Sequence, residues 1–480
     1  MSRNTPCRQV DPSNKIVGKV VECIREEVKR RYGSELTFEQ RRDAAVAVTN
    51  DSLWLDEERD LQSLVTRADE VEVEGKRYRR LEQPSSADYR GRWGAHHVEE
   101  PLYRLEGMHN GSTIKPVELH AGVVENMTPD LARIVGELSA EQTSRQVVAT
   151  LMTVGLEPPS RAPLEKHVKR MAHEMGGQVD KLEEAARATE ALPEGVFAIS
   201  CGMDRGAVRM VEAVNPATAA PSQRSEPYER TPPPPSERHY RMAWNGNTTL
   251  YDVFGKALHT FRYAAEANSN PADLAKRVSA DVAWVLRRYP GSDVHCIQDG
   301  ALELHVLPDM LAKVLPANSN VDVVDLVDFK HLTGYLDDVV DACEPLGDPK
   351  DLKGWYRAEL LRDDAAIDRI WRKLRDQGQA LPSGARKKRK AVAAALSYIR
   401  TRKARMRYAS HYRKGLPIGS GDTENTVWLM QQRVKRSAQS WRPPGLRGVL
   451  VLRALVLSER WDAAWDAYAA THRKGVRCAA

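Results

Sequence analysis

The chain has 480 residues, 41% hydrophobic and 29% charged, with a net charge of +6 and six cysteines. That length accommodates roughly two to four domains, each able to bury a core. No run of about 18 apolar residues appears, so no membrane-spanning helix is expected, and the start (Met1-Ser2-Arg3-Asn4) lacks the apolar segment of a secretory signal. Cys7, Cys23, Cys201, Cys296, Cys343 and Cys478 form no Cys-x-x-Cys pair, which argues against zinc knuckles and a disulfide framework and points to a reducing cytoplasm.

Residues 1–69 read as helical: Ile16, Val20, Val21, Ile24 and Val28 recur at helical spacing, and a second helix starts near Phe38. Residues 70–126 change character. Glu70 to Tyr78 alternates and turns at Gly75, as a β-hairpin does, and His97 to Arg104 is a weaker strand that Pro101 confines to an edge. Residues 127–178 are helical again. Thr128-Pro129 starts one helix, Ser139-Ala140-Glu141-Gln142 fits a capping box for a second that Gly155 ends, and Ser160 can cap a third. This triplet suggests a helix-turn-helix whose last helix offers Arg161, Lys166, Lys169 and Arg170 to DNA. A purely structural three-helix unit is the alternative.

Residues 190–331 carry the pattern of a mixed sheet. An apolar strand covers Val196 to Asp204, and Asn215 to Glu237 is a Pro-rich loop. Alternating runs Tyr240–Val253 and Lys256–Tyr263 meet at Phe254-Gly255 as a hairpin. Helices at Pro271–Arg288 and Leu302–Leu315 then alternate with apolar strands at Val294–Asp299 and Val321–Asp328. The order β-β-β-α-β-α-β is what a ribonuclease-H-like sheet requires. Residues 332–411 read as a helical insertion, and residues 412–470 as returning core helices. From Pro382 to Gly415 the chain holds twelve Lys or Arg and no Asp or Glu, Lys387 and Arg402 among them, a plausible phosphate-neutralising surface.

Asp204 and Asp299 each close an apolar strand and are followed by Gly206 and Gly300. Glu424 opens a helix in strongly basic surroundings, where a lone carboxylate would repel phosphate unless a divalent cation stood between them. Two such cations, about 3.5–4 Å apart, need carboxylates from several elements, which these three residues could supply. Asp also ends strands as an ordinary turn residue, and Asp322, Asp325, Asp328, Glu303 and Asp422 compete. Spacing does not choose among them. Counting about 100° per residue, Lys435 shares the face of Glu424 if the helix continues that far. Arg433 and Arg436 point elsewhere and could grip flanking DNA. Trp441 could stack on a base or pack in the core.

With these residues on the page, the chain resembles bacterial insertion-sequence transposases with a DDE catalytic core, in particular the Kra-type insertion-sequence family. The likeness is densest from Tyr412 through Gly419-Ser420-Gly421-Asp422-Thr423-Glu424 and continues through Gln432 to Ser437, Trp441, Leu452 to Leu455 and Ser458 to Asp462. Further matches are Met203 to Val208, Gln298-Asp299-Gly300-Ala301 and Val327-Asp328-Phe329-Lys330-His331, the last similar to an Asp-x-x-His signature of Mutator-like relatives. The resemblance implies an α/β protein with a ribonuclease-H-like mixed sheet and a helical insertion. It also implies Asp204, Asp299 and Glu424 as catalytic metal ligands for two Mg²⁺ ions, with Mn²⁺ able to substitute. Asp328 and His331 would form an accessory site, ordering the strand beside the triad or touching DNA, or else a structural Asp–His hydrogen bond. The expected partners are terminal inverted repeats and target DNA, with no membrane. Location near the nucleoid and a homodimer or larger assembly on DNA would follow. A transposon-derived DNA binder without catalysis and a ribonuclease-H-like nuclease or resolvase remain open alternatives.

Overall fold

A computed structural model describes residues 15–213, 236–315, 323–343, 349–436 and 439–478, and its contacts divide the chain into two units, Met1–Met171 with Asp466–Ala480 and Ala172–Trp465. The Pro-rich loop lies almost wholly outside the described residues, as do Asp322 and Ser437.

In the first unit, helices α1 (Lys15–Tyr32) and α2 (Phe38–Ser63) pack through Val28, Ala44 and Val48. The second starts at a capping box in which Thr37 and Gln40 satisfy each other's backbone amides. Strands β1 (Glu70–Val73) and β2 (Lys76–Arg80) form the expected hairpin, with Glu74 and Gly75 both at positive φ, as a two-residue turn matched to strand twist demands. Strands β3 (Ser86–Gly91) and β4 (Gly94–Glu99) make a separate hairpin, and β5 (Tyr103–Leu105) and β6 (Thr113–Ile114) continue the first sheet. The single strand expected over His97–Arg104 is therefore two strands in two sheets, divided at Pro101. A last strand, Val476–Cys478, pairs with β1, which the sequence pattern did not announce.

After α3 (Pro116–Ala121), helices α4 (Pro129–Glu141), α5 (Ser144–Thr153) and α6 (Arg161–Gly177) follow. The capping box falls at Thr143 and Gln146, not at Ser139, because Ser139 is buried inside α4 in line with Leu131, Val135 and Ala140. Helix α7 (Val179–Thr189) leads into the second unit's sheet.

That sheet is built from β7 (Ala198–Ala213), β8 (Ser236–Tyr251), β9 (Ala257–Ala265), β10 (Asp293–Gln298) and β11 (Val323–Val327), in the order β11-β10-β7-β8-β9. The first three are antiparallel neighbours, and β10 and β11 run parallel to β7. Helix α8 (Pro271–Arg288) connects β9 to β10. A 3₁₀ turn at Leu302–His305 and α9 (Val306–Val314) replace the single helix expected before β11. One sheet face packs Ile199, Cys201 and Met203 against Val278, Val282, Leu307 and Leu311. The other packs Val208, Met210 and Ala264 against Met430, Leu446 and Leu450 of α15 (Gly421–Val434) and α16 (Pro443–Leu457).

The insertion consists of α10 (Phe329–Cys343), α11 (Pro349–Arg362), α12 (Ala366–Ala380), α13 (Arg386–Arg402) and α14 (Ala409–Arg413) around its own core, including Leu336, Ile370, Leu374 and Ile399. The protein is thus a mixed α/β protein. Among the described residues no helix is long and apolar enough to cross a membrane.

Candidate active site

Side chains alternate along a strand, so Gly202, Asp204 and Gly206 share the face of β7 that α15 covers. The two glycines are what let the helix lie there. A Cβ on Gly202 would come within 2.4 Å of Thr423 Oγ1 and 2.5 Å of the Ile297 carbonyl oxygen, and one on Gly206 within 3.0 Å of Gln431 Nε2. Asp204 does not end its strand, contrary to the sequence expectation. β7 runs on to Ala213 because β8 pairs with it residue by residue, from Ala198↔Tyr251 to Ala213↔Ser236.

Asp299 does sit at a strand end, directly after Gln298 of β10. The parallel register sets Cys296 opposite Cys201, so three residues further along, Asp299 comes level with Asp204. Its Oδ1 accepts a hydrogen bond from the Ala301 amide at 2.8 Å, a turn that points the carboxylate out of the strand. Burial first, and then the charge of Asp299, push Asp204 above the usual carboxylate range, against the Arg205 amide and the His331 imidazole. The Arg205 amide donates to Asp204 Oδ1 at 2.6 Å.

Glu424 projects from the first turn of α15, half-buried, with Lys330 Nζ at 3.5 Å. The helix is pinned just beside it: Thr423 Oγ1 donates to Asn247 Oδ1 at 2.6 Å, and the Glu424 amide donates to the Ser420 carbonyl at 2.9 Å. A carboxylate oxygen of Glu424, one of Asp328 and a ring nitrogen of His331 lie within 4.8 Å of one another. Glu424, Lys330, His331, Gly334, Tyr335 and Asp338 line an open cleft of about 450 Å³. A larger cavity of about 1000 Å³ in the first unit is lined by Asp69, Glu70, Glu82, Glu99 and Glu100 together with Arg67, Arg79 and Arg80, and Arg80 pairs with Asp69.

Asp328 and His331 lie close together but differ in exposure. Asp328 is 1% exposed, and its two oxygens accept from Ser420 Oγ at 2.6 Å and the Lys330 amide at 2.8 Å. It caps α10 and ties that helix to the residue that precedes α15. His331 is exposed, and no hydrogen bond joins it to Asp328 among the described residues.

The competing carboxylates are committed to protein partners. Asp325 holds Arg405 at 2.5 Å, Glu303 holds Arg205 at 2.7 Å, and Asp422 accepts from the Tyr251 hydroxyl. Among the described residues Glu424 pairs with Lys330 at 3.5 Å, and no ion pair joins Asp204 or Asp299. Two neighbouring half-buried carboxylates form an oxygen-donor set of the kind that suits a hard divalent cation.

The residues expected to touch DNA divide in the same way. Lys166, Lys169, Lys387 and Lys435 are exposed, with no side-chain partner among the described residues. Arg161 is bound to Glu165 at 2.8 Å, and Arg170 to Glu125. Helix α15 stops at Val434, so Lys435 lies at its cap and not on the face of Glu424. Arg436 donates to the Gln432 carbonyl at 3.2 Å. Arg433 is 5% exposed with its guanidinium 5.3 Å from the Trp441 ring, and Trp441 Nε1 donates to the Val434 carbonyl at 2.8 Å. Arg433 is buried in the packing of α15, and Trp441 is partly buried against the same core. Arg402 donates from Nε to the Gly300 carbonyl at 2.8 Å, next to Asp299.

Lys330 and Tyr335 belong to the cleft but were not singled out from sequence. Lys330 stands inside the Asp328–His331 run, and its position between two site residues was the available signal. No family model matches the chain, and no curated protein is similar to it.

Proposed function

We propose that this protein is a DDE-type DNA transposase that binds terminal inverted repeats, cleaves at the element ends and transfers the freed 3′-ends to target DNA. What supports the reading is that Asp299, just after β10, comes level with Asp204 on β7, and that α15, which bears Glu424, packs over the face of β7 that carries Asp204. The charge of Asp299 raises the pKa of Asp204 and that of His331 lowers it, and a His331 ring nitrogen lies within 4.8 Å of a Glu424 carboxylate oxygen. Three antiparallel strands followed by two parallel ones, with helices on both faces, agree with a ribonuclease-H-like core. So does the entry of the third acid from a late helix.

Asp204, Asp299 and Glu424 would hold two Mg²⁺ ions, or Mn²⁺ in their place. When bound, such ions activate the attacking oxygen and offset charge on the leaving one. The chain's own residues supply placement. Thr423 and Asn247 fix the helix that bears Glu424, and Asp328 and Ser420 fix its approach. The exposed Lys330 ammonium beside Glu424 meets a phosphate entering the cleft. Lys387 and Lys435 neutralise backbone phosphates, and Lys166 and Lys169 stand on the helix that reads the end sequence in the major groove. Pairing two ends calls for a homodimer or larger assembly on DNA. The test is cleavage of a duplex carrying the inverted repeats that flank the reading frame, with Mg²⁺, against an unrelated duplex of equal length. Specific nicking of the first supports the proposal, and equal or absent cutting of both rejects it.

A further inference from the structure

The insertion reaches the site through one helix face. Tyr398 and Arg402, four residues apart on α13 and therefore on one side of it, donate into two consecutive carbonyls. Tyr398 Oη meets the Asp299 oxygen at 2.7 Å, and Arg402 Nε meets the Gly300 oxygen at 2.8 Å. These carbonyls come just after β10 ends, where the ladder no longer satisfies them. The donors are themselves held. The Arg402 guanidinium lies 4.5 Å from the Tyr398 ring, and that ring stacks on Tyr335 of α10 at 4.2 Å. Gly300 completes the fit. Its φ is +83°, and a Cβ there would stand 2.7 Å from Arg402 Nε. A neighbouring contact repeats the pattern, with the Tyr408 hydroxyl donating to the Val327 carbonyl at 2.9 Å, one residue before Asp328.

We infer that Tyr398 and Arg402 are positioning residues: they fix the turn after β10 so that the Asp299 carboxylate faces Asp204. The inference rests on the reading of Asp299 as a metal ligand, but it concerns a geometry that can be measured without metal or DNA. The Ala301 amide, which donates to Asp299 Oδ1, reports whether the turn is fixed.

Tyr398→Phe keeps the ring and its stacking and removes only the donor. Arg402→Met keeps length and packing and removes the other. In the full-length protein without metal, each variant should speed hydrogen exchange at Ala301 about tenfold, as expected for one lost hydrogen bond. The Mn²⁺ concentration that half-saturates thermal stabilisation should rise by a similar factor, and for Tyr398→Phe the Kd for DNA in the absence of metal should stay within about twofold of wild type. Tyr398→Phe should have no further effect on Mn²⁺ half-saturation in an Asp299→Asn background. Unchanged Ala301 exchange together with unchanged Mn²⁺ half-saturation in both variants overturns the inference. A wild-type protein that binds no Mn²⁺ rejects the transposase reading, and the exchange measurement still decides the positioning role.

Discussion

Replacing Gly202 by alanine adds one carbon where the fold has no room for it. Its Cβ would lie 2.5 Å from the Ile297 carbonyl oxygen and 2.4 Å from Thr423 Oγ1, far inside the roughly 3.5 Å of ordinary contact. The first neighbour is backbone of the buried strand β10 and cannot retreat. The second is hydrogen-bonded to Asn247, so it yields only by breaking that bond or by lifting α15. Overpacking of this kind costs about 1–3 kcal/mol, and the lost hydrogen bond about 1 more. The total is roughly 2–4 kcal/mol. Glu424 follows Thr423, so a lifted helix carries that carboxylate away from Asp204, and a displacement of about 1 Å costs on the order of 100-fold in rate. Urea unfolding and single-turnover DNA cleavage measure the two effects. Gly354→Ala in α11, with nothing within 4 Å of the new Cβ, should instead stabilise by about 0.5–1 kcal/mol. A Gly202→Ala protein with the wild-type midpoint and rate would refute the close packing of α15 on β7.

Three further outcomes are expected. Lys387→Gln should lower the slope of log K against log salt by about 0.9, whereas Arg433→Gln should leave the slope unchanged and lower the unfolding midpoint, because Arg433 is packed against Trp441. Arg460→Met removes two hydrogen bonds, at 2.7 and 2.8 Å, from the 0%-exposed Asp281 carboxylate, leaving it Arg187 at 3.2 Å and the Tyr263 hydroxyl, and should cost up to about 3 kcal/mol in urea unfolding. Burial, helped by His411, pushes His295 down to about 4. Between that value and the unfolded value near 6.5, only the unfolded chain takes up the proton, so stability falls as pH drops through this window, by up to about 3 kcal/mol. His295→Asn should flatten that slope, and an unaltered slope would show that another group carries it.

What the sequence made legible followed from local chemistry. Helix α8 starts and stops where Asn270, Pro271 and the terminal arginines say it should, since capping is decided within a turn. The β1–β2 turn is local in the same way. The extent of β7 is not local: polar residues and Gly206 suggest an end at Asp204, but pairing with residues 236–243 extends the strand. The choice between Asp422 and Glu424 was equally hidden. It depends on Tyr251, 171 residues from Asp422, whose hydroxyl engages Asp422 and leaves Glu424 to the cleft. Helical spacing turned Arg433 away from the face of Glu424 and left it free to grip DNA, and its burial against Trp441 depends on packing that spacing does not see. The role of Asp328 depended on Ser420, which has no sequence signature as its partner.

The central claim is that Asp204, Asp299 and Glu424 act together as one metal-dependent centre. The direct measurement is Mg²⁺-dependent strand cleavage of DNA carrying the element ends by the full-length protein. Asp204→Asn, Asp299→Asn and Glu424→Gln are each compared with Glu303→Gln, whose carboxylate is bound to Arg205. Each of the first three should abolish cleavage while leaving DNA binding intact, and Glu303→Gln should keep it. Cleavage at the wild-type rate by any of the three would contradict the account.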